Sequence, residues 1–266
     1  MRKYLHVMRV GFQNTMVYRM NFLLRAAFSL IPLLATIYLW GAVYSGRTSD
    51  VGGYSLPAMI SYYLIVTIVD TLTAVTDDDW QIAADIKDGN ISQFLLKPIN
   101  YTIYRMSLFF SGKLIFAAMS LIPVGLFIFC ERRYLVAPPS LDALAGFLVS
   151  LVLTAFLQFF MSYTMALLAF WVLEVSTIIF MLFAFEYLAG GHLFPINILP
   201  PAIAHILNLT PFPYLLYFPV SVYLGTIKGL ALAQGLAIQF AWLAFFWGLS
   251  QFVWRRGIKK YSAVGG

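Results

Sequence analysis

Asp85-x-x-Asp88-Gly89 is the stretch of this chain with the plainest capacity for chemistry. Carboxylates at i and i+3 stand on one side of a helix, and paired oxygen ligands suit a hard divalent cation such as Mg²⁺. The spacing opens the D-x-x-D-G…A-R…G-x-x-x-D-x-x-x-D pattern with which membrane phosphotransferases hold metal. The pattern then stops: Ser92-Gln93 stands where Ala-Arg is required, and no paired acids follow downstream. H-E-x-x-H is absent, which removes the zinc-protease class. G-x-x-x-x-G-K-[ST] is absent too, so the chain cannot hold ATP by a P-loop. His192 and His205, with no acidic ligands beside them in sequence, read as hydrogen-bonding or surface residues. Cys130 is the one cysteine, which excludes an internal disulfide and a cysteine metal site.

The remaining reactive groups stand in apolar surroundings. Asp70 lies within an apolar run and Glu186 late in another, where ionisable side chains pair with one another or mark a path for ions or substrate. Asp70 reads first as a structural partner for a basic residue. Glu186 is a candidate either to line a path or to pair with His192. Gln158, Gln234 and Gln239 are explained by hydrogen bonds between helices. A secondary transporter coupled to an ion gradient would use Asp70 in this way and is the main alternative function; a metal-dependent phosphotransferase is the lesser one.

What must position these groups is a membrane domain. Apolar residues make up 61% and charged ones 11% of the 266 residues, against about half and about a quarter in soluble domains. The expected fold is all-α, a single transmembrane domain with six spans: roughly residues 22–44, 55–75, 106–130, 143–170, 176–188 extending toward 194, and 230–253. A tight turn near residues 171–175 separates the fourth from the fifth. Residues 1–21 mix arginines with Leu5, Met8, Phe12 and Met16, which suits a helix in the headgroup layer. With both termini cytoplasmic, 13 of the 17 Lys and Arg residues fall on the inner side, where the positive-inside rule wants them. Lys113 and Arg25 then sit near inner ends, from which long side chains snorkel. The net charge of +6 thus answers to lipid headgroups and not to nucleic acid. Residues 190–229 hold six of the twelve prolines and cannot form one straight span. They read as half-helices dipping into the outer leaflet.

One polar segment, Asp77 to Asn100, interrupts this pattern with five of the eleven acids. Asp78 and Gln81 have capping-box spacing, and Gly89-Asn90 supplies a left-handed stop. The helix between them has about three turns, too short to span. Trp80, Ala83, Ala84 and Lys87 share one face and Ile82 and Ile86 an adjoining one, so a compact helix offers apolar residues to a partner.

The stretch "IAADIKDGNISQFLLKPIN", with six spans, an amphipathic entry helix and a proline-broken segment before the last span, resembles the type-2 permeases of ATP-binding-cassette (ABC) transporters. It is most specific over "IKDGNISQFLLKP", where members similarly carry a glycine, an apolar pair, then a basic residue and proline. The resemblance implies an elbow helix at 1–21, a cytoplasmic coupling segment at 77–100 and a re-entrant outer segment at 190–229. It implies that Trp80, Ile82, Ala83, Asp85, Ile86, Lys87, Asp88 and Gly89 couple the chain to a separate cytosolic ATPase. Two ATPase copies would carry ATP and Mg²⁺, and a second permease, the same or related, would complete a path in the inner membrane. The chain itself would bind no cofactor and catalyse no reaction; export is the expected task.

Overall fold

The computed structural model describes residues 2–17, 19–46, 49–74, 78–172 and 174–261, with the side chains of 19, 78, 79 and 121 left aside. Eleven α-helices and short 3-10 turns make up most of the described residues, with one isolated β-bridge, Val51 to Tyr54. They are α1 Arg2–Val17, α2 Arg19–Tyr44, α3 Leu56–Thr73, α4 Asp78–Lys87, α5 Ile91–Leu95, α6 Tyr101–Cys130, α7 Leu141–Ala166, α8 Ser176–Ala189, α9 Pro201–Asn208, α10 Tyr217–Tyr223 and α11 Leu230–Lys260.

Local sequence sets several of these boundaries. The Asn100 side chain accepts from Ile103 N at 3.1 Å to open α6, and Ser140 accepts from Ala143 N at 3.1 Å to open α7, each satisfying an amide of the first turn. The expected cap of α4 falls on Asp78, whose side chain lies outside the described residues. The stop is found: Gly89 takes φ 77°, a conformation glycine adopts without cost.

Four helices are long and apolar enough to cross a membrane: Met20–Tyr44, Leu56–Thr73, Leu141–Phe170 and Leu230–Lys260. A fifth crossing is formed by α6 if its two halves, bent by 43°, are taken together. Pro123 lies just past the bend, and a proline inside a helix removes a backbone donor and kinks it. The six-span expectation meets a shorter element at α8. Its 14 residues rise about 21 Å, less than the hydrocarbon core of about 30 Å, and it ends at Ala189 instead of continuing toward Phe194. The turn that the sequence places at 171–175 is where α7 and its 3-10 extension end.

The directions of the long helices fix what α8 must do. A Cβ on Gly146 would touch Leu232, Ser150 bonds Gln239, and a Cβ on Gly257 would touch Phe170. Early residues of α7 thus meet early residues of α11 and late meet late, so the two helices run parallel. The chain between them returns across the thickness of the bundle. It does so as α8 followed by broken backbone: a 3-10 turn at Ile196–Ile198, α9, a 3-10 turn at Phe212–Tyr214, and α10. The prolines enforce those breaks. Irregular backbone in such a place needs partners from protein, and α3 supplies them: Tyr62 Oη donates to Gly191 O at 2.7 Å, and Tyr63 Oη donates to Leu193 O. Tyr217 N donates to Gly190 O at 3.0 Å. Gly191 has φ 103°, and a Cβ there would lie 2.6 Å from Tyr62 Oη, so both conformation and space require glycine.

A fully buried amide ties the centre. Gln239 Oε1 accepts from Ser150 Oγ at 3.0 Å, and its Nε2 donates to Thr154 Oγ1 and Tyr214 O, both at 2.9 Å. One side chain thereby joins α7, α11 and the broken segment after α8. Gln158 likewise joins α7 to α8, whereas Gln234 faces outward.

Close packing of α11 on α10 yields a test. A Cβ on Gly235 would stand 2.1 Å from the buried Phe218 ring, while one on Gly248 meets nothing within 4 Å. Gly235→Leu is expected to cost about 1–3 kcal/mol through overpacking, and Gly248→Leu less than about 0.5 kcal/mol. Thermal unfolding of the purified protein in detergent distinguishes the two; equal midpoints would contradict the packing described.

Candidate coupling site and intramembrane pocket

Helix α4 has one face inside the protein and one outside. Ile82, Ala83 and Ile86 are 1%, 6% and 4% exposed and belong to the main core, and Ile91 just beyond is fully buried. The helix packs on α7, the 3-10 turn at Leu167–Phe170 and the start of α6. This corrects the expectation that Ile82, Ala83 and Ile86 are offered to a partner: the chain's own core takes them. Trp80 at 43%, with Gln81, Ala84, Lys87 and Asp88, forms the outward face. The i, i+3, i+4 spacing groups Ala83 with Trp80, Ala84 and Lys87, whereas the structure buries it beside Ile82 and Ile86, and that aliphatic stripe turns inward.

An ion pair fixes how the helix sits. The Arg105 guanidinium, on α6 and almost fully buried, pairs with the Asp85 carboxylate. Its Nε donates to Tyr101 Oη at 2.9 Å and its Nη1 to Gln81 Oε1 at 3.3 Å. Tyr101 Oη in turn donates to Asp85 Oδ2 at 2.8 Å. Asp85 is therefore committed to Arg105 while Asp88 is exposed, which splits the acid pair that the phosphotransferase pattern requires. The Tyr101 ring stacks on Trp254 of α11 at 5.1 Å and 8°, and Phe170 and Tyr261 continue the aromatic layer. Tyr261 Oη closes the C-terminal end of α4 by donating to Gly89 O at 2.9 Å. The ends of α6, α7 and α11 thus form the seat of α4. In the sequence Arg105 is one of the 13 basic residues on the inner side, standing just before the apolar run that starts at 106 and close after a short acidic helix.

Helix α1 lies along the opening turns of α6. Tyr4 Oη accepts from Asn100 N at 3.0 Å, Lys3 Nζ donates to Pro98 O, and a Cβ on Gly11 would meet Ser111 Oγ at 2.4 Å.

A second group of ionisable residues lies between α2, α3, α6 and the loop after α8. His192 Nε2 stands 3.2 Å from Asp70 Oδ1, so the basic partner expected for Asp70 is a histidine 122 residues away. Glu186, buried, accepts from Gln158 Nε2 at 2.8 Å. Lys113 does not snorkel outward; it is 6% exposed, with Nζ 5.4 Å from the centre of the Phe116 ring. Asp70, His192 and Lys113 line one cavity of about 310 Å³. His205 lies apart, on α9.

The arrangement is a polar cap clamped to the end of an apolar bundle, with a charged cavity inside. A family model described as ABC-2 family transporter protein matches residues 30–265. The chain belongs to that family. No curated protein and no solved structure matches it. An ABC-2 protein of this kind is the multi-pass membrane component of an ABC transporter and not itself the catalyst. The matched region starts within α2 and includes α4, the broken segment after α8 and α11, and leaves α1 outside.

The permease's ion pair yields a second test. Removing one partner of a buried pair costs about 3–5 kcal/mol, whereas replacing both is often near neutral. Arg105→Met is expected to raise amide exchange across Ile82–Lys87 by a hundredfold or more, about the ratio for 3 kcal/mol. Adding Asp85→Leu should restore most of the protection. Unchanged exchange in the single variant would show that α4 is held by its aliphatic face alone.

Proposed function

We propose that this ABC-2 permease is an exporter subunit that works as a dimer, like or unlike, each copy driven by a cytosolic ATPase seated on the outward face of α4. The observation that carries the reading is α4 itself: a three-turn polar helix locked into the core on one side, with Trp80, Ala84, Lys87 and Asp88 on the other. A helix so fastened passes a push to the bundle instead of yielding to it. Gly89 sets its end, Asp85 holds its register on Arg105, and Ile82, Ala83 and Ile86 transmit the force. ATP and Mg²⁺ belong to the partner. In this reading α1 is the elbow helix, α8 with the broken segment makes the sixth crossing, and both termini lie in the cytoplasm of a cell whose inner membrane houses the protein.

Burying a large apolar side chain contributes about 1.5–3 kcal/mol, and an exposed ion pair about 0–1. Trp80→Ala or Ala84→Asp should therefore weaken ATPase co-purification by about tenfold or more, with more loss than Lys87→Ala. Ile86→Asp should instead reduce folded yield, because it buries a charge in the chain's own core. Normal ATPase retention and ATP-driven transport in the Trp80 and Ala84 variants would overturn the docking face. Transport that ran on a proton gradient without ATP would favour the secondary-transporter reading.

Orientation has its own test. Cys130 is exposed at the far end of α6 from α4, so an impermeant maleimide is expected to label it from the outer side. Labelling from the cytoplasmic side alone would reverse the topology.

A further inference from the structure

The last turns of α11 have two sides of different character. Trp254 and Gly257 face inward, the first stacked on Tyr101 and the second so near Phe170 that a Cβ would lie 2.2 Å from its ring. Phe252 and Arg256, one turn apart, share another side. With Val253, and with Leu168 and Trp171 at the end of α7, they line an open groove of about 470 Å³. Phe252 is 56% and Trp171 40% exposed, so the aromatic floor of the groove is bare. The Arg256 guanidinium lies 5.4 Å from the centre of the Phe252 ring. That contact holds the cation over the floor and uses none of its five N–H donors, which find no acceptor among the described residues.

The position of the groove narrows what can fill it. The 31 residues of α11 rise about 46 Å, against about 30 Å of hydrocarbon, so its final turns reach the headgroup layer and the groove opens at the boundary. Lys259 and Lys260 stand in the last turn, where the carbonyl end of a helix favours cations; Arg256 lies a turn earlier and has no such reason to be there. Glu174, the acid nearest to Trp171 in sequence, does not line the groove, and its Oε1 accepts from Ser176 N at 3.3 Å. A ligand with a cation of its own would therefore meet Arg256 and no carboxylate. A soluble anion would leave the aromatic floor wet. We propose that this groove binds an anionic phospholipid from the leaflet on the α4 side of the bundle. Its phosphate takes the bidentate donors of Arg256, and the upper carbons of an acyl chain cover Trp171, Phe252 and Leu168. The lipid clasps the ends of α7 and α11 on the side opposite the seat of α4. This goes beyond the transport reading and requires only that the chain spans a membrane.

The test is lipid retention by the purified full-length permease. Detergent micelles are doped equally with phosphatidylglycerol, phosphatidylcholine and phosphatidylethanolamine, and bound lipid is read by native mass spectrometry. Phosphatidylglycerol should be retained about tenfold over either zwitterionic lipid. Arg256→Gln should abolish that preference, and Trp171→Ala should lower phosphatidylglycerol retention several-fold. Lys228→Gln, which removes the same charge just before the opposite end of α11, should leave the preference intact. Arg256 is exposed, so the unfolding temperature of Arg256→Gln in lipid-free detergent should match that of the wild type, while added phosphatidylglycerol should raise only the wild type's. Equal retention of the three lipids by the wild type would overturn the proposal, as would a preference that survives in both Arg256→Gln and Trp171→Ala. Displacement of phosphatidylglycerol by soluble glycerol phosphate would assign a free anion and overturn the lipid. A dimer of permeases lost in Trp171→Ala with lipid preference unchanged would make the groove a contact between copies and overturn it too.

Discussion

Helix α4 can stay attached to an apolar bundle only if something holds a polar segment against helices with no affinity for water. Two interactions do so, and they divide the work. Burial of Ile82, Ala83 and Ile86 supplies the energy, about 1.5–3 kcal/mol for each isoleucine. The Arg105–Asp85 pair supplies direction: a buried pair adds little net stability over apolar residues of similar size, but breaking it on one side is costly. Gln81, Tyr101 and Tyr261 then hold the helix at its side and its end. With α4 fixed, the ends of α6, α7 and α11 are fixed to one another through the Tyr101, Trp254 and Phe170 rings.

Deeper in the bundle the constraint is of another kind. Lipid offers helices little hydrophobic reason to associate, so polar side chains and close approach hold them. Gln239 links α7, α11 and the broken segment after α8, Gln158 and Glu186 link α7 and α8, and Asp70 and His192 link α3 to the loop after α8. The same scarcity of drive explains the exposed Leu24, Phe28, Ile31 and Leu39 of α2 and Phe180 and Phe185 of α8, which suit lipid or a second permease. The charged cavity beside α2 borders on this surface.

Much of this was legible from the order of residues. Apolar runs located the long helices within several positions, Gly89 marked the end of α4, prolines marked the broken segment after α8, and the turn at 171–175 followed from run length. The inward direction of Ile82 and Ile86 was not legible, because a face at i and i+4 looks the same whether the chain's own core or a partner covers it. The pairing of Arg105 with Asp85, 20 residues apart, and of His192 with Asp70 depends on helices meeting in space, which a local pattern cannot encode. Span counting overstated α8, since an apolar run reports composition and not where Gly190 and Gly191 end the helix.

The central claim is that α4 moves as one body with the spans beneath it. It is tested by electron-resonance distances in the full transporter complex, with and without a non-hydrolysable ATP analogue. Labels at Lys87→Cys and Arg256→Cys, on a background in which Cys130 is serine, report α4 against α11 within one permease; Lys87→Cys alone reports the two permeases against each other. The account predicts an unchanged distance within the permease and a changed distance between permeases. A shift of α4 against α11 with the separation between permeases unchanged would contradict it.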